Sequence, residues 1–185
     1  MRPLTILFDA DDTAENLLSC WIAILNERYG TTVTIEDVKQ WDVSLAFPDL
    51  TKEQIYEVLL MDELWERISP LPNSQKVLQA FYDKGHKLFM VTASDYRIAK
   101  VKFDRLLDLF PFLDIQHIII TSNKQMIKGD VLIDDGPHNL LGGDYFKILF
   151  DQPHNRWVDE KACGMTRVHT WDEVADIIQT LECSV

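Results

Sequence analysis

The sequence predicts an α/β fold built around a parallel sheet, and three observations carry that reading. Apolar runs at residues 4–8, 88–91 and 131–133 are too short for helices and read as strands buried on both faces. The stretches between them carry apolar residues at helical spacing, as Val77, Leu78 and Phe81 do before Gly85. Finally, three runs end in residues suited to chemistry: Asp9 and Asp11, then Thr92, then Asp134 and Asp135. Strands joined through helices lie parallel with right-handed crossovers, which gathers all these ends on one edge. Ligands bind in α/β sheets along that edge.

In order along the chain, the first strand gives way to residues 14–29, where Leu17, Leu18, Trp21, Ile22 and Leu25 mark a helix and Gly30 a stop. Residues 34–37 begin a further short helix, and 41–50 read as irregular and aromatic-rich. Thr51 and Gln54 form a capping box opening a helix to about Leu60, and 62–68 supply another turn or two. Residues 14–70 are therefore expected to form a helical cap inserted into a core made of 1–13 and 71–185. Pro70 and Pro72 mark the return to that core. There follow a helix over 74–84, a strand over 87–92, a helix over 95–109 and a strand over 116–121. Strands over 131–135, 146–150 and 166–168 come next, and a helix capped by Thr170 and Glu173 closes the chain.

Composition narrows the function. A net charge of −12 leaves no basic face for a nucleic-acid polymer, although a cation and one or two lysines can still receive a small phosphorylated ligand. An apolar fraction of 46% and a charged fraction of 26% are ordinary for a globular protein, and no run approaches a membrane span. Cys20, Cys163 and Cys183 have no metal-ligand spacing and read as free thiols. With no signal-peptide pattern at the amino terminus, a cytoplasmic location is expected; a homodimer is left open.

A phosphate ester at the shared edge needs a nucleophile, a cation, donors to the phosphoryl oxygens and an acid for the leaving group. Asp9 is placed to attack phosphorus and Asp11 to move the proton. The Asp9 carboxylate, the Asp11 carbonyl and a carboxylate from Asp134 or Asp135 would hold Mg²⁺. Thr92 offers a hydroxyl to phosphate. Lys124 is the first choice for the compensating cation, with Lys102 and Lys100 in reserve. Each piece has a plainer explanation by itself: Thr92 as part of a helix cap, Lys124 as a solvated loop lysine, Asp134 and Asp135 as a turn before Gly136-Pro137. Their joint occurrence in this order favours the catalytic reading.

The order Asp-x-Asp-x-Thr at 9–13, Thr92, Lys124 and Asp134-Asp135 resembles the haloacid dehalogenase-like hydrolases over nearly the whole chain. Asn123-Lys124 through Asp135, the run Phe150-Asp151-Gln152-Pro153-His154-Asn155-Arg156, and residues 167–173 are similar to bacterial and phage 5'(3')-deoxyribonucleotidases. That resemblance implies a Rossmann-like, three-layer parallel-sheet core with a small helical cap. It also implies Mg²⁺ dependence and a nucleoside monophosphate substrate. It makes Asp9 the nucleophile and Asp11 the acid/base, with Thr92 and Lys124 on phosphate and Asp9, Asp11, Asp134 and Asp135 at the metal. Members often carry Gly where this chain has Asp12, animal members an aromatic residue where Leu17 stands, and Ala93 removes one hydroxyl. Leu17, Trp41, Phe47 and Trp65 are the cap residues expected to meet substrate. The competing readings are a phosphatase for another small phosphometabolite and a nucleotide-binding module without turnover.

Overall fold

The computed structural model describes residues 2–183. Six strands form one parallel sheet: β1 (Thr5–Phe8), β2 (Lys87–Thr92), β3 (Ile118–Ile120), β4 (Val131–Asp134), β5 (Phe146–Phe150) and β6 (Thr166–Val168). Their order across the sheet is β3-β2-β1-β4-β5-β6. The chain therefore builds outward from β1 on one side, then returns to its other side at β4. The carboxyl ends of β1 and β4 flank the point where the order reverses, which is where such sheets leave a crevice for ligand.

Alternation along the strands sends their side chains to two cores. Ile6, Phe8, Met90, Ile133 and Ile148 join the larger cluster, with Leu78 and Phe81 of α4 (Ser74–Asp83), Phe103 and Leu106 of α5 (Ala99–Leu109), and Val174 and Ile178 of α7 (Trp171–Cys183). Leu7, Val91, Leu132 and Leu149 face the other way, toward Leu140 of the short α6 (Pro137–Leu140) and toward Val158 and Met165. This second layer is thin, because the links from β4 to β6 carry one four-residue helix and loops. Between β1 and α4 come α1 (Leu17–Tyr29), α2 (Lys52–Tyr56) and α3 (Asp62–Arg67), with 3₁₀ turns between them. The two connectors of this helical segment run side by side: Asn16 N donates to Ser69 O at 3.1 Å and Leu71 N to Ala14 O at 2.9 Å.

Some boundaries differ from the sequence reading, for local reasons. The helix expected over 95–109 begins at Ala99, since the Asp95 carboxylate takes the Arg97 N–H and bends 95–98 into a turn. The strand expected over 116–121 shrinks to Ile118–Ile120, because Asp114 caps a 3₁₀ turn at Ile115–His117. The Thr51–Gln54 capping box is formed, but α2 tightens into a 3₁₀ turn at Glu57–Leu60. The helix at residues 34–37 is one 3₁₀ turn, Ile35–Asp37.

Trp171, fully buried, fixes the loop after β1 from behind by donating its indole N–H to Thr13 O at 2.8 Å. Trp171→Phe keeps most of the apolar volume but strands that buried carbonyl, so a loss of about 1–3 kcal/mol is expected. Equilibrium urea unfolding measures it; an unchanged midpoint would show that this bond contributes nothing to stability.

Candidate active site

The β1–β4 ladder extends one residue past β1, where Asp9 N donates to Ile133 O at 2.9 Å. The chain then turns sharply: Ala14 N and Glu15 N both donate to Ala10 O, at 2.9 and 3.0 Å. The turn requires a left-handed residue, and Asp12 supplies it at φ 53°. Its carboxylate recovers part of that cost by accepting from Leu18 N, at the start of α1, at 2.8 Å. Asp12 thus ties the loop to the helical segment, which a glycine at this position could not do.

Two lysines hold the carboxylates that this turn and β4 present. Lys124 Nζ lies 2.8 Å from Asp9 Oδ1 and 2.6 Å from Asp134 Oδ2. Lys102 Nζ, on α5, donates to Asp11 Oδ2 at 2.6 Å, to Thr92 Oγ1 at 3.0 Å and to Ala93 O at 2.9 Å. Both lysines are buried. Asp134 is further fixed by Gly136 N at 2.8 Å and Asn139 Nδ2 at 3.0 Å on Oδ1. The Asp135 backbone is clamped at both ends, its N–H by Thr13 Oγ1 at 3.1 Å and its carbonyl by Asn155 Nδ2 at 2.8 Å.

Asp9, Asp11, Asp12, Glu15, Asp134 and Asp135 crowd together against these two ammonium groups. Burial pushes the Asp9 carboxyl well above the usual range; Lys124 opposes this, and Asp134, Asp11 and Asp135 add to it. Asp134 is raised by burial and Asp135 against the pull of Lys124. Burial, with Asp135 adding to it, also raises Asp12, and burial raises Glu15 with Asp11 and Asp12 adding to it. Burial works against the charge on Lys124, but Asp9 and Asp134 outweigh it and its pKa is raised.

Asp9, Asp134 and Asp135 can each bring one oxygen within 4.8 Å of the others. Three buried hard-oxygen donors with excess negative charge fit a divalent cation such as Mg²⁺, which would let all three stay ionised. Asp11 is outside this group by its carboxylate, which Lys102 engages, so its anticipated place there rests on its carbonyl.

Above this floor lies a cavity of about 450 Å³. Its wall includes Leu17, Leu18, Trp21, Val43, Tyr56 and Leu59, with Gln40 and Trp41 from the loop before Val43. Of the four residues expected to meet substrate, Leu17 and Trp41 line this cavity. Phe47 and Trp65 do not: both are buried in the helical segment's own core and neither lines the cavity. Trp65 donates its indole N–H to Leu59 O at 3.2 Å and turns its ring toward Lys102 Nζ, 5.1 Å from the centroid. Phe47 lines a separate hollow beside Gly30 and Leu50. Lys100 points away, paired with Asp104.

Lys102, a reserve candidate by sequence, sits as deep in the site as Lys124. The signal was available: Lys102 is four residues from both Ile98 and Leu106, on the inward stripe of its helix, where a lysine needs a buried partner. Thr13 stands in the Asp-x-Asp-x-Thr run and His154 and Asn155 in the run over 150–156, but nothing in the sequence assigned them a role, and Glu15 carried no mark at all.

The model of the family described as 5' nucleotidase, deoxy (pyrimidine), cytosolic type C protein matches residues 2–183. A 5'(3')-deoxyribonucleotidase of Bacillus subtilis is 32% identical over 170 residues, 91% of this chain and 95% of that one. One from Clostridium acetobutylicum is 28% identical over 182 residues, covering 98% of each chain. Among solved structures, a haloacid dehalogenase-like hydrolase from Streptococcus pneumoniae superimposes with a TM-score of 0.65 at 16% identity, over 95% of this chain and 98% of that one. A HAD hydrolase from Bacillus subtilis bound to magnesium gives 0.59 at 15% identity, over 97% and 100%. The two structures share the fold. The family match runs through every strand of the sheet and every carboxylate of the floor, and it settles the affiliation: the chain belongs to the 5' nucleotidase, deoxy (pyrimidine), cytosolic type C family.

Proposed function

We propose that the protein hydrolyses deoxyribonucleoside 5'- or 3'-monophosphates through an aspartyl-phosphate on Asp9, with Mg²⁺ as cofactor. The observation that carries this reading is the meeting of Asp9, Asp11, Lys102 and Lys124 beneath a largely apolar cavity of about 450 Å³. The names of the relatives, 5'(3')-deoxyribonucleotidase, support the substrate class.

The chemistry follows from the placement of the groups. An Asp9 carboxylate oxygen attacks phosphorus while the bond from phosphorus to the sugar oxygen breaks, and Asp11 gives that oxygen its proton. Water then attacks the phosphorus of the acyl phosphate, Asp11 takes the proton, and inorganic phosphate leaves with Asp9 restored. Thr92, Lys102 and Lys124 hold the phosphoryl oxygens. Lys102, already on Asp11 Oδ2 and Thr92 Oγ1, also keeps the proton carrier oriented. Asp9, the Asp11 carbonyl and Asp134 or Asp135 would hold Mg²⁺, which when bound would supply positive charge beside the phosphoryl group. The segment over 14–70 acts as the cap: Leu17 and Trp41 bound the space for sugar and base, and the apolar wall excludes water.

Asp9→Asn keeps the shape but not the nucleophile, so phosphate release should fall by on the order of 10⁴-fold with circular dichroism unchanged. Robust Mg²⁺-dependent turnover by this variant would sink the mechanism.

A panel of phosphomonoesters tests the substrate. Pyrimidine deoxyribonucleotides should exceed ribonucleotides and sugar phosphates by about ten-fold or more in kcat/KM. A flat profile would defeat the nucleotide assignment while leaving a phosphatase.

The crowded carboxyls also make metal and pH interdependent. Asp9, Asp12 and Asp134 have raised folded values, so without metal they cost stability as pH rises through those values. Mg²⁺ should therefore raise Tm at pH 7.5 and have progressively less effect as these groups protonate on acidification. Thermal melts with Mg²⁺ and with a chelator check this; a Tm shift that grows toward acid would contradict it.

A further inference from the structure

The Asp135 carboxylate is held much more loosely than its neighbour. Asp134 receives Lys124, Gly136 N and Asn139 Nδ2. Among the described residues, the groups recorded at the Asp135 carboxylate are Thr13 Oγ1, at a long 3.4 Å from Oδ1, and His154 Nε2, 3.1 Å from Oδ2. His154 is 6% exposed, and its Nε2 lies within reach of Oδ2 but off hydrogen-bond alignment, with no other partner among the described residues. His154 thus sets a buried, unpartnered ring nitrogen beside a carboxylate of the candidate metal group.

The other side of the imidazole meets the cap. Trp41 packs edge-on against His154, centroids 5.2 Å apart at 83°, and against His138 at 4.5 Å and 81°. The Trp41 loop is fastened on both flanks. Glu36 pairs with Arg156 of the His154 segment at 2.7 Å. Asp42, next to Trp41, accepts from Lys52 Nζ at 2.6 Å and Tyr56 Oη at 2.8 Å. These ties hold the backbone on both sides of Trp41 while its ring lies against His154.

We propose that His154 is a positioning residue that donates to Asp135 and holds its carboxylate ready for the metal, and that Trp41 presses His154 into that position. Cap and metal site are thereby coupled: metal is held tightest when the Trp41 loop is seated over the cavity. Hydrogen bonds from beyond the ligands commonly set metal affinity in this way. The proposal rests on the Mg²⁺ reading of the carboxylate group given above.

The test is Mg²⁺ binding to the resting protein, without nucleotide, by titration calorimetry. His154→Phe keeps a ring against Trp41 and removes the donor, so the dissociation constant should rise by about ten-fold. His154→Gln, whose amide nitrogen reaches a similar place, should recover most of that loss. Trp41→Ala should weaken Mg²⁺ several-fold by itself yet add nothing in the His154→Phe background, a non-additivity that separate structural damage would not produce. Wild-type affinity in His154→Phe would overturn the positioning role. Full additivity of the two substitutions, or wild-type affinity in Trp41→Ala, would overturn the coupling. If His154→Phe fails to fold, the half-exposed Trp41 paired with His154→Gln carries the same comparison: Trp41→Ala must still weaken Mg²⁺, and less so when Gln replaces His. A wild-type protein that binds no Mg²⁺ would overturn the metal reading and this proposal with it, whereas an active Asp9→Asn variant would remove the phosphatase mechanism and leave the binding test standing.

Discussion

Negative charge packed where water is scarce is the constraint on which the rest of this structure depends. Six acidic side chains meet at the ends of β1 and β4, four of them with pKa values raised first by burial and then by one another. Left alone, such a group would repel itself apart or take up protons. Lys124 and Lys102 prevent the first outcome, each bridging elements distant in sequence: Lys124 joins the loop before β4 to β1, and Lys102 joins α5 to the turn after β1. Deleting one partner of such a buried pair typically costs about 3–5 kcal/mol, more than the pair is worth in excess of an apolar replacement. The arrangement is thus a poor way to stabilise a fold and a suitable way to hold a cation and a phosphoryl group.

The scaffold meets that demand with rigid parts. The chain reverses direction across the sheet between β1 and β4, so neighbouring strands deliver Asp9 and the Asp134–Asp135 pair to one place. Trp171 and Asn155 then brace the loops from outside the site, through Thr13 O and Asp135 O. Asn155 is itself held by Arg167 at 2.7 Å, which carries the bracing out to β6. By contrast, the cavity roof comes from α1 together with short helices and 3₁₀ turns, attached through two adjacent connectors. A floor set by the sheet beneath a separately hung roof suits the proposed reaction, which must admit substrate, keep out bulk water and release product.

Three residues singled out in the sequence as unusual also find a physical place. Asp12 occupies a left-handed position where Gly would be free of strain, and its side chain caps α1 in exchange. Leu17 of α1 lines the cavity without offering an aromatic face, and Trp41 supplies one from the loop before Val43. Ala93 lacks a hydroxyl but contributes its carbonyl to Lys102.

The sequence by itself determined the sheet, its parallel sense and the edge on which Asp9, Asp11, Thr92, Lys124 and Asp134–Asp135 would converge, because these follow from runs of apolar residues and the polar residues that end them. Where a polar side chain competes for a backbone N–H, as Asp95 and Asp114 do, periodicity overran the true boundary. Burial of the aromatic residues was beyond its reach. Trp41, Phe47 and Trp65 are equivalent in one dimension, and only the packing of α3 on α5 and of the loop on His138 and His154 decided that Trp41 faces the cavity. The same holds for His154 and Lys102, whose roles depend on contacts across 19 and 91 positions of chain. Local sequence encodes what each segment prefers; which distant segments share the remaining space is settled by the tertiary fold alone.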